Sequence, residues 1–192
     1  MSDWKKRLKE TLEPILCRND PRPEISAYND VPYAIFTYPP EDEFDLRKEI
    51  SLLKNRLETR GKRVTVISLA ECLYAALESE GMDIESIAEA EKNTGIEAVI
   101  ETIHEVLSSY QSLDGLIVKR MPADSDPLRD ILFITRAGSL FPMYRTSPLL
   151  EQLKGKVLIP GVLFYPGRTD GAAGLSFMGI LDAEHNYRVK IF

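Results

Sequence analysis

The stretch ILFITRAGSLFPMYRTSPLLEQL, Ile131 to Leu153, comes closest in this chain to a ligand-binding loop. A β-branched run ends in Arg136-Ala137-Gly138-Ser139, and a helix-forming segment follows, which is how phosphate-binding loops are laid out. A working loop of that class needs G-x-x-x-x-G-K-[ST]. Its amides cradle the phosphates, while the lysine and hydroxyl serve the terminal phosphate and magnesium. Both Gly-Lys pairs fail this test: Gly61-Lys62 has Arg56 and Gly155-Lys156 has Leu150 where the first glycine belongs. A G-x-G-x-x-G fingerprint is absent, and a G-x-S-x-G elbow at Ser139 would need glycines where Ala137 and Phe141 stand. A nucleophilic Ser139 would also need a base. The two histidines are His104, in an acidic helical stretch, and His185, in a predicted turn. Two histidines and no close cysteine pair disfavour a zinc site. Cys17 and Cys72 read as small packing residues in a reducing compartment.

The remaining chemistry lies in three segments that follow predicted strands: YPPEDE, TRAGSLFP and YPGRTDG. In an open α/β sheet, ligands bind beyond the carboxyl ends of the strands. Parallel strands would put all three segments on one edge and gather Glu41, Asp42, Arg136, Gly138, Ser139, Arg145, Arg168 and Asp170. Three chemistries are open to that set. Magnesium on Glu41, Asp42 and Asp170 would suit a divergent metal-dependent phosphoesterase or nuclease. A nucleotide or other anion on Arg136, Arg145 and Arg168 would make a sensing module. Internal ion pairs with a partner-binding edge would need neither. Glu41, Asp42 and Glu43 also suit the first turn of a helix, where the dipole favours acids. Gly138 reads as the residue that allows a sharp turn, and Ser139 as a hydroxyl bonded to its own backbone. No cofactor is expected.

The elements that must position these residues follow from periodicity. Trp4, Leu8, Leu12 and Ile15 recur at helical spacing, and a Pro-rich loop, RNDPRPEISAYNDVP, comes next. YAIFTY, RVTVISL, DGLIVKR, DILFITR and KVLIPGVLFY read as five strands. EDEFDLRKEISLLKNRLETRG is a helix with Leu46, Ile50, Leu53 and Leu57 on one face and Gly61 as its stop. Helices are expected over Leu69 to Ser79, in GMDIESIAEAEKN, in TGIEAVIETIHEVLSSY and around Pro148 to Leu153. In the third, Ile96, Val99, Ile100, Ile103 and Leu107 form the apolar stripe, and Glu97, Glu101 and Glu105 line a solvated face or a surface for a basic partner. SFMGI and YRVKIF read as a hairpin around Asp182 to Asn186. The fold class is therefore α/β: a mostly parallel sheet of about five strands with helices on both faces, closed by a C-terminal β-hairpin. One domain is expected over 1–192, with an N-terminal helix and loop over 1–30 and a helical insertion over 69–110.

The 192 residues are 44% hydrophobic and 28% charged, an ordinary globular mixture. The net charge of −6 divides into −9 over residues 1–118 and +3 over residues 119–192. The acidity disfavours direct nucleic-acid binding, which draws on lysines and arginines to displace counterions. MSDWKKRLKETLEPIL lacks the continuous apolar core of a signal peptide, and no run reaches the ~18 apolar residues of a membrane span. A soluble cytoplasmic protein is expected, with no membrane partner.

YAIFTYPPEDE, ILFITRAGSLFPMYRTSPLLEQLKGKVLIPGVLFYPG, TDG and NYRVKIF together resemble the BrxB family, small proteins of BREX phage-defence systems in bacteria and archaea. Where that family commonly has a Gly-x-Gly-Ser type turn, this chain has Arg136-Ala137-Gly138-Ser139, and Thr169 replaces a common tyrosine. The resemblance implies a non-catalytic component that works with other BREX proteins: a phosphatase-like protein, a DNA methyltransferase and a large ATPase. A homodimer is left open. The overall pattern is also similar to a P-loop NTPase core without its nucleotide loop, an analogy of fold that carries no function by itself.

Overall fold

The computed structural model describes residues 2–26, 31–170, 174–180 and 189–192. The first helical run is α1 (Asp3–Arg7), a π turn (Leu8–Leu12) and α2 (Glu13–Leu16). The π turn precedes Pro14, whose missing N–H and ring could not continue a regular α ladder. A short helix, α3 (Arg22–Ile25), occupies part of the expected Pro-rich loop. Then come β1 (Tyr33–Tyr38), α4 (Glu43–Thr59), β2 (Arg63–Ser68) and α5 (Leu69–Ser79). They are followed by α6 (Ile84–Thr94), α7 (Ile96–Glu105) with a π turn (Val106–Tyr110), and α8 (Leu113–Arg120). The chain continues through β3 (Asp130–Thr135), α9 (Thr146–Leu153), β4 (Gly161–Asp170), β5 (Gly174–Phe177) and β6 (Lys190–Ile191).

The strands order as β2-β3-β4-β1-β6, all of these neighbours parallel, while β5 pairs antiparallel with the far end of β4. Alternate residues of each strand face opposite layers. Ala34, Phe36, Ile131, Phe133, Val162 and Phe164 pack with Trp4, Leu12 and the four predicted α4 residues Leu46, Ile50, Leu53 and Leu57. Tyr33, Ile35, Leu132, Ile134, Leu163 and Tyr165 pack beneath α5, α7, α8 and α9. The residues of β1 and β3 are buried on both faces, which is why they read as continuous apolar runs.

Three expectations need correction. DGLIVKR is not a strand but most of α8. Leu113, Leu116 and Ile117 are its buried residues, a helical spacing, and Asp114 in the first turn with Lys119 and Arg120 in the last suits the dipole. The β-branched pair Ile117-Val118 masked that period. YPGRTDG is largely not a loop, because β4 runs through it to Asp170. The antiparallel partner of β4 is β5, whereas β6 pairs in parallel with β1, so the halves of the expected C-terminal hairpin pair elsewhere. Its turn, Asp182 to Asn186, lies outside the described residues. In α7 the buried residues are Val99 and Ile103, with Ile96 exposed.

Two lysines weighed above as phosphate ligands hold the chain together instead. Lys62 Nζ donates to the carbonyls of Arg18 (2.5 Å), Asn19 (3.0 Å) and Leu128 (2.8 Å). Lys156 pairs with the buried Asp114. Burial pushes the Asp114 carboxyl up, but hydrogen bonds from Lys156 and Ser112 outweigh it and hold the group below its ordinary value.

Candidate functional site

The parallel strands put the carboxyl ends of β1, β3 and β4 on one edge, and the candidate residues lie on or just beyond it. After β1, Pro39 ends the strand and Pro40–Asp42 forms a 3-10 turn into α4. Two of the acids there, Asp42 and Asp45, are held by the N-terminal helix. Trp4 Nε1 donates to Asp42 Oδ2 at 2.7 Å, and Lys5 pairs with Asp45 at 3.2 Å. Arg7 donates to the Thr37 carbonyl at 2.9 Å and to its hydroxyl at 3.3 Å, and that hydroxyl donates to the Phe192 carbonyl at 3.0 Å. Glu43 accepts from the Tyr38 hydroxyl. Burial, helped by the Glu43 charge, pushes the Tyr38 phenol far above its ordinary value, so it stays protonated and donates. Glu41 is exposed.

At the end of β3 the turn differs from expectation. The left-handed residue is Arg136, with φ 59°, and not Gly138. Its carbonyl accepts from the Ser139 amide at 3.1 Å and from the Ser139 hydroxyl at 2.7 Å, which is the local bond expected of that serine. Gly138 instead lies close under a neighbouring ribbon. A Cβ there would lie 3.3 Å from Met178 Sδ and 3.4 Å from Pro166 Cγ, so the β4–β5 ribbon comes down against the turn. The ribbon has its own close approach at Gly167, where a Cβ would lie 2.3 Å from the Ser176 carbonyl oxygen.

Arg136 is half-buried and Arg168 is exposed on the ribbon opposite Ser176, and among the described residues neither guanidinium has a hydrogen-bond or ion-pair partner. Arg145 is exposed immediately before α9 and does have a partner. Next to it, Thr146 is buried, and its hydroxyl is without a partner among the described residues. The Asp170 backbone ends β4, and its side chain lies outside the described residues. No group of three His, Cys, Asp or Glu side chains among the described residues is placed to hold a metal ion. His104 Nδ1 donates to the Met143 carbonyl at 2.9 Å, and His185 lies outside the described residues. No helix among the described residues is long and apolar enough to cross a membrane.

The edge thus gathers Glu41, Asp42, Arg136, Gly138, Ser139 and Arg168, but Asp42 and Ser139 are turned to internal bonds. Sequence reading missed Trp4, Lys5 and Arg7 as groups of this edge. The signal available was three polar or basic groups on a helix that already needed a place to bury its apolar face.

The model of a family described as "BREX protein BrxB" matches residues 65–191. A protein of that name from Bacillus cereus (strain H3081.97) is 27% identical over 188 residues, covering 95% of this chain and 96% of the relative. Another, from Escherichia coli O9:H4 (strain HS), is 23% identical over 144 residues, covering 74% of this chain and 69% of its own. No solved structure matches.

Proposed function

The chain belongs to the BrxB family, and from that premise we propose that it is a non-catalytic component of a BREX-type bacteriophage-defence system, acting as an assembly or adaptor subunit for other defence proteins. The observation that carries the reading is the use made of the acids after β1: Asp42 binds Trp4, Glu43 binds Tyr38 and Asp45 binds Lys5. These bonds give the acids a structural use, Asp42 and Asp45 tying the N-terminal helix to the start of α4 and Glu43 tying α4 to the end of β1, and a structural use favours scaffold over metal binding or proton transfer. Glu41, Arg136, Arg145 and Arg168 remain as the charged groups of a partner-binding edge, with Asp42, Gly138, Ser139 and Asp170 shaping it. A P-loop-type ancestry of the sheet is supported by β1, which sits inside it between β4 and β6 and is followed by Pro39-Pro40 in place of a glycine loop. The partners that suit this role are the phosphatase-like protein, the methyltransferase and the large ATPase of the system. A tagged copy expressed with the neighbouring defence genes is expected to be isolated in a stable complex with at least one of their products. Recovery of the chain alone, with those proteins present in the cells, overturns the reading.

A second reading, a nucleotide- or anion-sensing module, draws on the guanidinium groups of Arg136 and Arg168 and the Thr146 hydroxyl, which have no partner among the described residues. Its test uses Arg136→Gly, which removes the charge and also a left-handed non-glycine residue costing about 1–2 kcal/mol. The greater freedom of glycine in the unfolded chain offsets that gain, so stability is expected to stay within about 1 kcal/mol of the natural chain. A thermal-shift screen with nucleotides and inorganic phosphate should then show a rise in Tm that this variant loses. A flat screen removes the reading.

A further inference from the structure

The helical segment between β2 and β3 leaves an apolar surface that its own fold does not cover. Helix α6 has no buried residue, although it carries Ile84 and Ile87 at a spacing of three. Eleven residues form a marginal helix in water, and most helices gain their stability by packing an apolar face. The support of α6 is a capping box, in which Asp83 accepts from the Ser86 amide at 2.7 Å and the Ser86 hydroxyl accepts from the Asp83 amide at 3.0 Å, together with the half-buried Ile87, which packs against the core and leaves Ile84 outside it. Between α5 and α6 runs an open cleft of about 490 Å³, floored by Leu77, Met82 and Ile87 and walled by Tyr74 and Ile84. Tyr74 is 63% exposed and Ile84 74% exposed, a cost that is repaid when a second surface covers them.

Charge decides what that surface is. Residues 69–110 contain ten acidic side chains and one lysine. Glu78 and Glu85 lie on the rim of the cleft itself. Nucleic acid and anionic lipid would be repelled. A second copy meeting the same face would place like charges together around the buried contact, which is unfavourable. An apolar stripe flanked by lysine or arginine satisfies both the floor and the rim. Its spacing at i, i+3, i+4 and i+7 on a helix matches a cleft laid along two short helices.

We infer that the cleft between α5 and α6 is a docking groove for a basic amphipathic helix of a partner protein. The groove is lined by the second half of α5, whereas α5 starts from its Ser68 cap at the carboxyl edge of the sheet. The inference therefore deepens the adaptor reading, on which it rests for the existence of a partner, by adding a second contact surface to the edge.

The test uses the full chain and three labelled peptides of about 14 residues. The first has leucines at i, i+3, i+4 and i+7 and lysines elsewhere. The second replaces each lysine with glutamate, and the third has the composition of the first with its leucines scattered. The first is expected to bind, and the other two at least about tenfold more weakly. The double variants Tyr74→Ser/Ile84→Ser and Glu78→Lys/Glu85→Lys should each weaken the first by about tenfold or more, while far-UV circular dichroism stays unchanged because all four side chains are exposed. Hydrogen exchange over residues 84–94 should slow when the first peptide is present. Equal binding of the scattered peptide, undiminished binding by the Tyr74/Ile84 variant, no binding of the first peptide, or a self-associated chain dispersed by Ile84→Ser each overturns the inference. Co-isolation with defence proteins that survives both variants leaves the adaptor reading standing without the groove. Peptide binding in a chain that isolates alone leaves the groove standing without that reading.

Discussion

Asp130→Asn should lower the unfolding free energy by about 3 kcal/mol at neutral pH, the lower end of what breaking a buried ion pair costs. Asp130 is fully buried at the start of β3. Its two oxygens accept from Arg63 Nε at 2.5 Å and from a terminal Arg63 nitrogen at 2.6 Å, and the second oxygen also accepts the Asp126 amide at 2.7 Å. Arg63 and Asp130 are register partners in adjacent strands, so the pair also sets the alignment of β2 on β3. An asparagine would turn an N–H toward the guanidinium and leave Arg63 with only its exposed pair to Asp124, at 3.0 Å. The Arg63 side chain keeps 36% of its surface in water, which is why the lower figure applies. The pH dependence has a definite sign. The Arg63 hydrogen bonds hold the Asp130 carboxyl below its ordinary value of 3.8, against burial, which pushes it up. Its contribution is therefore complete above that ordinary value and is lost as pH falls toward the lower folded-state value. Urea unfolding at about pH 7 and about pH 3 should show the gap between the natural chain and Asp130→Asn narrowing in acid. An equal gap at both would mean that the charge of Asp130 contributes nothing.

Trp4→Ala should destabilise by about 3–5 kcal/mol, the range for deleting a buried large aromatic. The ring is 2% exposed among Leu8, Phe36 and Leu46, and its N–H holds Asp42. Trp4→Phe keeps most of the apolar body and loses the hydrogen bond, so it should cost about 1–2 kcal/mol. Because either change removes the only tryptophan, unfolding is followed by far-UV circular dichroism. Equal losses from the two substitutions would make the hydrogen bond, and not the packing, the main tie of α1. The consequence reaches the carboxyl edge, since α1 is what holds Asp42 and Asp45 there.

Most of the secondary structure was legible because it is written in local periods. Leu46, Ile50, Leu53 and Leu57 lie on one helical face, and those four are the buried residues of α4. The apolar runs of β1 and β3 announced strands covered on both sides. The same logic failed at DGLIVKR, where β-branched residues outweighed a helical spacing that only burial beneath the sheet makes decisive. It failed again at the C-terminal strands. Short segments of similar composition can pair with any open edge, and their partners are set by where β1 and β4 already lie.

The candidate site divides in the same way. That Arg136, Ser139, Glu41 and Asp42 would share an edge followed from strand direction, a consequence of helices alternating with strands along the chain. What each group does there was decided by residues far off in sequence. Trp4 reaches Asp42 across 38 positions, and Arg63 reaches Asp130 across 67. No local pattern records such a pairing, because a charge or an indole N–H takes whichever partner the packed core leaves within hydrogen-bond distance. Apolar periodicity alone therefore determined the layers of this protein, and tertiary packing decided which of its polar groups became scaffold and which stayed at the surface.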